Sequence, residues 1–278
     1  RPDTPAGVTC ERDLDDLRLE IFERVARHGL LCGLVATMYQ SNLGDLPGMI
    51  DFATRCRHVS LVLVTTCTDF RPIAATYGRS DGPAFAEHDA LTDEIVTCDD
   101  VLDLLQRERG LWPVHYIPSD RRLEEKRWLL YLGFAVTDRD GGFETMYLSS
   151  RYRRTIELAN NMQRWTKGRY KFDMVPGRVE SVLVCVFYAL LGMDLRNAWS
   201  VLRFLAGLLR PGTRIHSKVL VFQQPPSLHP DGGIEQCDNC PDATVRNGEV
   251  VPLCLADILS PLEQSRPARE HEPAARAS

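Results

Sequence analysis

The C-terminal run CDNCPDATVRNGEVVPLC constrains the fold of this chain more than any other segment. It places Cys237, Cys240 and Cys254 in a C-x2-C-x13-C arrangement. Two cysteines separated by two residues can put both thiolates on one metal ion or on one edge of a cluster. Asn247-Gly248 is the strongest short hairpin signal, and a hairpin there would return Cys254 to the pair. The segment therefore predicts a three-thiolate metal site.

The identity of the metal is left open by the cysteines alone. Four thiolates suit either tetrahedral zinc or an iron-sulfur cluster, but only three are local here. A structural zinc site usually has four protein ligands, whereas a cluster held by three cysteines leaves one iron open to a substrate or to a distant fourth residue. Cys67 is a candidate for that fourth ligand or for a radical-site residue, although free cysteines are commonly buried apolar residues. A redox pair or inert core cysteines are the remaining alternatives.

Two segments carry a family resemblance. The cysteine spacing and the continuation NGEVVPLC resemble the C-terminal auxiliary-cluster module, of SPASM or twitch type, in radical S-adenosylmethionine enzymes. The run LDDLRLEIFERVARHGLLCGLVATMYQSNLGDLPGMIDFATRCRHVSLVLVTT resembles the middle of the barrel in the same enzymes. The elements of this run follow in the same order as in the barrel: a helix, a strand ending at Thr37, a turn at Ser41-Asn42-Leu43, a helix that begins at Leu46-Pro47, and a second strand. Together the segments cover about a quarter of the chain.

The resemblance implies a particular chemistry for the parent protein. In this family a reduced 4Fe-4S cluster cleaves S-adenosylmethionine to a deoxyadenosyl radical, which abstracts hydrogen from a small-molecule or peptide substrate. By this resemblance, the present chain would hold an auxiliary 4Fe-4S cluster on Cys237, Cys240 and Cys254. Thr37 and Asn42 would contact the ribose or the amino acid part of S-adenosylmethionine, although Asn42 could equally cap the helix that follows it.

One departure from the family pattern limits the expected activity. The CxxxCxxC motif that holds the radical-generating cluster does not occur among the nine cysteines. The chain begins at Arg1, without methionine, in a loop that would precede the fourth or fifth barrel strand. We therefore expect the C-terminal portion of a longer enzyme, inactive as a fragment, whose substrate and oligomeric state the sequence does not reveal.

The expected fold class is α/β, with the C-terminal part of a partial TIM-like barrel, a helical insertion and a small cysteine-rich module. The expected domains are residues 1–148 (partial barrel with an added hairpin), 149–225 (helical insertion and return strand), 226–262 (cluster module) and 263–278 (disordered tail). The predicted helices are Asp13 to His28, Cys98 to Arg109, Arg151 to Thr166, Glu180 to Leu191 and Leu195 to Leu209. The predicted strands are Leu30 to Thr37, Val59 to Val64, Trp128 to Val136, Phe143 to Leu148 and His216 to Phe222.

The carboxyl ends of two predicted strands carry the candidate pocket residues. Functional groups of parallel barrels lie at these ends. The first strand leads into Thr37, Gln40 and Asn42, and the second into Thr65, Thr66, Cys67 and Asp69. Because side chains alternate along a strand, Thr37 and Asn42 should face the same mouth as Thr65 and Asp69, provided that the two strands are parallel neighbours.

The composition indicates the cellular compartment of the protein and the classes of partner that it can bind. The net charge of -5 argues against a general polyanion binder, and only four of the 33 basic residues are lysine, which indicates genome bias. Nine cysteines outside a disulfide pattern favour a reducing, cytoplasmic setting. The apolar segment Glu180 to Leu191 is too short for a membrane span. We expect neither a nucleic-acid nor a membrane partner.

Other candidate residues have ordinary explanations. The basic stretch from Arg151 to Lys171 is compatible with nucleic-acid binding but favours a solvated helix face. His115 and His216 could be catalytic or ligand histidines, yet the sequence pairs neither with a nucleophile or carboxylate. P-loop, Rossmann and HExxH motifs are absent. Two further functions stay open: a zinc-stapled binding domain, and a degenerate barrel that recognises a protein or peptide through its basic helix.

Overall fold

The structure is a computed structural model, and it describes residues 11–69, 71–76, 94–137, 143–147, 153–168, 214–229, 231–238 and 240–256, together with positions 183, 199 and 206. The helices are α1 (Asp15–Arg27), α2 (Leu46–Arg55), α3 (Arg71–Thr76), α4 (Cys98–Arg109) and α5 (Arg153–Lys167). The strands are β1 (Cys32–Met38), β2 (Val59–Thr66), β3 (His115–Pro118), β4 (Lys126–Thr137), β5 (Phe143–Tyr147), β6 (Arg214–Gln223), β7 (Ser227–Leu228), β8 (Ile234–Glu235), β9 (Ala243–Arg246) and β10 (Glu249–Pro252).

A mixed sheet organises the described residues. Its order is β1-β2-β6-β4-β3, and β5 pairs with β4. β1, β2 and β6 run parallel, while β4 is antiparallel to each of its neighbours β6, β3 and β5. The expected α/β class is confirmed at this level. Within the described residues the sheet does not close into a barrel.

The predicted pairing of the first two strands is confirmed. β1 and β2 are adjacent and parallel, and α2 forms the connection between them, as in a strand-helix-strand unit. Thr37 pairs with Thr65, so these two side chains lie on the same face of the sheet. The predicted return strand is also confirmed, because β6 adds to β2 in parallel and pairs Gln223 with Thr65.

The sheet has one face that is covered by helices. Val62, Val64 and Phe222 are buried on this helix face. Lys218, on the same face, donates hydrogen bonds from Nζ to Ala53 O in α2 at 3.1 Å, to Cys56 O just after α2 at 2.5 Å and to Val59 O at the start of β2. A buried lysine therefore binds three carbonyls along the connection from α2 to β2.

The opposite face carries a different set of residues, and we call it the cysteine face. The register places Thr37, Thr65, Gln223 and Trp128 on it. Over β1 this face is open, since Val35 is 75% exposed. Over β3 and β4 it is covered by α5, in which Asn160 contacts His115.

The C-terminal hairpin folds as the Asn-Gly signal predicts. β9 and β10 are antiparallel, and Arg246 pairs with Glu249 across a two-residue turn. Asn247 (φ 51°) and Gly248 (φ 83°) both adopt the left-handed conformation that a type I′ turn requires. A 3-10 helix, Leu253–Leu255, follows directly and contains Cys254.

Several other predicted elements can be compared with the structure. The predicted helix from Cys98 to Arg109 matches α4, which begins at a capping box of Thr97 and Asp100 and ends at left-handed Gly110. The predicted strands on either side of the Asp140 turn form the antiparallel pair β4 and β5. The turn itself, most residues of the predicted helices over 180–191 and 195–209, and the tail over 263–278 lie outside the described residues. Among the helices of the described ranges, none is long and apolar enough to cross a membrane.

The turn between β9 and β10 generates a prediction. Gly248→Ala should lower the free energy of unfolding by about 1 kcal/mol, because a Cβ is disfavoured at positive φ. Gly44→Ala is the matched control, since Gly44 has an ordinary φ and open space around its Cα. Urea denaturation of both variants measures the difference, and equal stability of the two would contradict the turn geometry.

Candidate metal centre

The segment that carries Cys237 is held against the end of β3. An isolated antiparallel bridge joins Ser119 to Cys237. Asp238 N donates to Pro118 O at 2.9 Å, and Asp120 N donates to Gln236 O at 2.8 Å. Backbone hydrogen bonds therefore fix the position of Cys237, whose side chain is 4% exposed.

A row of paired residues leads across the cysteine face to this thiol. Thr37 pairs with Thr65, Thr65 with Gln223, and Gln223 with Trp128. The row spans roughly 14 Å, given three strand spacings of about 4.8 Å. Trp128 Nε1 donates a hydrogen bond to Cys237 Sγ at 3.1 Å. The first three residues of the row lie at or one residue before the carboxyl ends of the parallel strands β1, β2 and β6, so Cys237 lies near the carboxyl edge of the parallel part of the sheet.

The three thiols of the motif interact with one another. Cys237 and Cys240 shift each other's pKa, and both interact electrostatically with Cys254. The interaction with Cys237 lowers the pKa of the Cys240 thiol, while the interaction with Cys240 and burial raise the pKa of Cys237. Burial and the charge of Cys240 raise the pKa of Cys254 to about 11. The pair therefore gives up its first proton more readily than an isolated thiol does.

The donor set fits a thiolate-bound metal in its chemistry. Three soft sulfur donors lie on the segments that precede and follow the β9–β10 hairpin. Their arrangement is less complete, because the part of the chain that the structure describes contains no group of three or more His, Cys, Asp or Glu side chains arranged to hold a metal ion. Loading would therefore have to bring the three sulfurs closer together.

A buried carboxylate joins the cysteine segment to the sheet. Glu235, two residues before Cys237, is fully buried. Its carboxylate accepts hydrogen bonds from Ser119 Oγ at 2.6 Å and from Arg122 Nε at 2.7 Å. Arg127 Nη2 lies 3.2 Å from Glu235 Oε2. One side chain therefore connects β8 to the loop between β3 and β4 and to the start of β4.

Arg127 extends these contacts to the chain that follows β6. Its guanidinium is fully buried and donates to Pro225 O at 2.9 Å and to Ser227 Oγ at 2.8 Å. It also pairs with Glu125 Oε1 at 2.8 Å. We call Glu235, Arg127, Arg122, Glu125 and Ser119 the ion cluster. Because buried charges are costly unless they are paired, this cluster strongly favours one docking position for the cysteine segment.

The predicted cofactor residues lie at the expected strand end. Thr37 is exposed on the cysteine face. Asn42 uses its amide locally: Oδ1 accepts from Tyr39 N at 2.8 Å, and Nδ2 donates to Thr37 O at 3.2 Å. Asn42 occupies the cap position of the 3-10 helix Leu43–Asp45 but makes no side-chain cap bond to it. Its observed role is to close the loop after β1.

Neighbouring candidates have identifiable surroundings. Cys67 is buried after β2, and its pKa is raised by burial and by the charges of Glu94 and Asp69. Glu94 Oε2 accepts from Ser41 N and Oγ at 2.9 and 2.8 Å. Asp69 is held by Arg71, with Nη2 and Oδ2 2.9 Å apart. These contacts order the loops at the carboxyl ends of β1 and β2.

The histidines and the basic helix also have structural contacts. His115 Nδ1 lies 3.1 Å from Asn160 Oδ1, and Asn160 Nδ2 donates to Val114 O at 3.3 Å. These bonds dock α5 on β3. His216 pairs with Ala135 in the sheet. On α5, Arg164 Nη2 lies 3.6 Å from Asp238 Oδ2, next to Cys237.

Sequence reasoning missed Trp128 and the ion cluster. Both depend on residues that are distant in the sequence, and the sequence pattern predicts no strand at the position of β3, on which the cysteine segment docks. A signal did exist for the charges: Arg127 adjoins the apolar run WLLYLGFAV, and Glu235 lies next to the apolar Ile234. Charged residues in such positions indicate a buried pair.

The comparisons with known proteins leave the family undetermined. No protein-family model matches the sequence, and neither a curated protein nor a solved structure is significantly similar to it.

The ion cluster predicts how stability depends on pH. Burial would raise the pKa of Glu235, but hydrogen bonds from Arg122 and Ser119 and the charge of Arg127 outweigh it and lower that pKa to about 2. A carboxylate with a lowered pKa stabilises the folded protein at pH values above its ordinary pKa, which is near 4.5. This stabilisation is lost as the pH falls toward 2. Glu235→Gln should therefore lower the free energy of unfolding by about 3 kcal/mol at neutral pH.

Urea denaturation at a series of pH values measures this effect. The difference between wild type and Glu235→Gln should shrink as the pH falls from 4.5 toward 2. Glu157→Gln is the control, because its pair with Arg153 is solvent-exposed and should contribute less than about 1 kcal/mol. If the difference in unfolding free energy between wild type and Glu235→Gln stayed constant over this pH range, the lowered pKa assigned to Glu235 would be contradicted.

Proposed function

We propose that this chain is the C-terminal portion of a radical S-adenosylmethionine enzyme and that Cys237, Cys240 and Cys254 hold its auxiliary iron-sulfur cluster. The observation that carries the proposal is the position of Cys237. It lies beside Trp128, at the end of the row that begins with Thr37 and Thr65. Sites of parallel α/β sheets form at the carboxyl ends of the strands, where a cluster would meet a substrate.

The arrangement of strands supports a partial barrel. β1, α2 and β2 form a parallel strand-helix-strand unit, and β6 extends it in the same direction. One face carries helices, as the outside of a barrel does, and the other carries the candidate site. In this proposal β4 and β5 are the added hairpin, and their antiparallel strands widen the sheet beside β6.

The residues around the thiols support a buried cluster. When bound, an auxiliary cluster would supply one-electron transfer or an open iron for a substrate. The chain itself provides burial of Cys237, a hydrogen-bond donor to its sulfur, and a fixed docking position through Glu235. Thr37 is exposed on the same face and is the better placed of the two predicted S-adenosylmethionine contacts, since the amide of Asn42 is engaged locally.

The state of the cysteines supports a reducing compartment. Seven described cysteines, those at 32, 56, 67, 98, 237, 240 and 254, are free thiols. Thiols persist in this form in the cytoplasm, where a cluster can also be assembled. We propose a cytoplasmic enzyme whose substrate is a small molecule or a peptide.

A zinc-stapled module is the second candidate. The observation that favours it is the small satellite core near the hairpin, in which Ile73 and Leu255 are buried and Leu228 and Ile234 are partly buried. Such a core supplies little folding energy, and structural zinc commonly provides the remainder in small modules. In this alternative the three cysteines and a fourth ligand stabilise the fold and perform no chemistry.

Anaerobic reconstitution with iron and sulfide tests the proposal. Wild type should become brown, with broad visible charge-transfer absorbance and a stable iron-to-protein ratio after desalting. Cys240→Ser should lose the cluster, because two local thiolates cannot hold it. Cys32→Ser is the matched control and should keep its full iron content, since Cys32 lies in β1, away from the module.

The same preparation separates the two candidates. Colourless protein that binds stoichiometric zinc through the same three cysteines would favour the staple and overturn the cluster. Equal iron loss from Cys240→Ser and Cys32→Ser, or full iron retention in Cys240→Ser, would show that these thiols are not the site.

A further inference from the structure

The contact between Trp128 and Cys237 distinguishes this thiol from the other two. Both side chains are buried, at 1% and 4% exposure, and Nε1 lies 3.1 Å from Sγ. An indole N–H can only donate, so the sulfur is the acceptor in this bond. Cys240, in contrast, donates from its own Sγ to Asp242 O at 3.3 Å. Taken alone, the bond from Trp128 therefore favours negative charge on the sulfur of Cys237.

The position of Trp128 is fixed independently of the cysteine segment. It pairs with Gln223 of β6 and with Ile117 of β3, so strands on both sides hold its backbone. The adjacent Arg127 is anchored in the ion cluster. The donor thus already contacts the sulfur in the metal-free protein, and an outer hydrogen bond of this kind can orient a metal ligand.

We propose that Trp128 is a positioning residue that sets the reduction potential of the cluster through its hydrogen bond to Cys237 Sγ. This inference rests on the proposed function. A hydrogen bond to a ligating sulfur withdraws electron density from it and stabilises the reduced cluster, which carries one more negative charge. Removal of the donor makes reduction less favourable and shifts the midpoint potential to a more negative value.

The test is an anaerobic redox titration of the reconstituted protein, followed by its visible absorbance. Trp128→Phe keeps an aromatic ring and removes the donor. We expect an unchanged iron and sulfide content and a reduction equilibrium about tenfold less favourable, or ~59 mV more negative for a one-electron couple. Trp112→Phe is the matched control, because Trp112 is equally buried and its Nε1 lacks a hydrogen-bond partner among the described residues.

A second substitution covers the case in which Trp128→Phe does not fold or load. Benzothienylalanine at position 128 retains the ring shape of tryptophan and replaces the N–H group by sulfur. It should load fully and show the same negative shift.

The outcomes separate this inference from the proposed function. A loaded benzothienylalanine or Phe protein with the wild-type potential would overturn the role of Trp128 and leave the cluster assignment intact. An equal shift in Trp112→Phe would also overturn it, because the effect would then be general to buried tryptophan loss. Wild-type protein that binds no iron and sulfide would overturn both.

Discussion

The buried pairing of Glu235 with Arg127 is the interaction on which the candidate site depends. Two charges removed from water are stable only when their hydrogen-bonding groups are satisfied, and here Ser119 and Arg122 complete the set around the carboxylate. Few alternative positions of the cysteine segment would satisfy the same groups. The location of Cys237, two residues further on, depends on this electrostatic constraint together with its backbone hydrogen bonds and its burial in the apolar core.

The two faces of the sheet have separate roles. On the helix face, buried apolar side chains and the carbonyl-binding Lys218 fix α2 against β2 and β6. On the cysteine face, polar residues at strand ends lead toward a thiol that accepts a hydrogen bond from Trp128. This division agrees with the general rule that a parallel sheet separates the residues that stabilise it from those at the carboxyl ends of its strands.

Local patterns in the sequence predicted the local structure well. The Asn247-Gly248 turn and the parallel pairing of β1 with β2 follow from backbone preferences and apolar periodicity, and both are confirmed. The convergence of the three cysteines on one metal stays a prediction, because the described residues contain no group of His, Cys, Asp or Glu side chains arranged to hold a metal ion. Trp128 could not be predicted, because its contact with Cys237 depends on how β4, β3 and β6 pair over a long separation in sequence. Long-range register is not encoded in any short motif.

The most direct test of the account is anomalous diffraction at the iron edge from crystals of the anaerobically reconstituted protein. The account predicts one strong anomalous peak enclosed by the sulfurs of Cys237, Cys240 and Cys254, with Trp128 Nε1 within hydrogen-bond distance of the first. A peak bound elsewhere, or crystals that give a zinc signal at these sulfurs and none for iron, would contradict it.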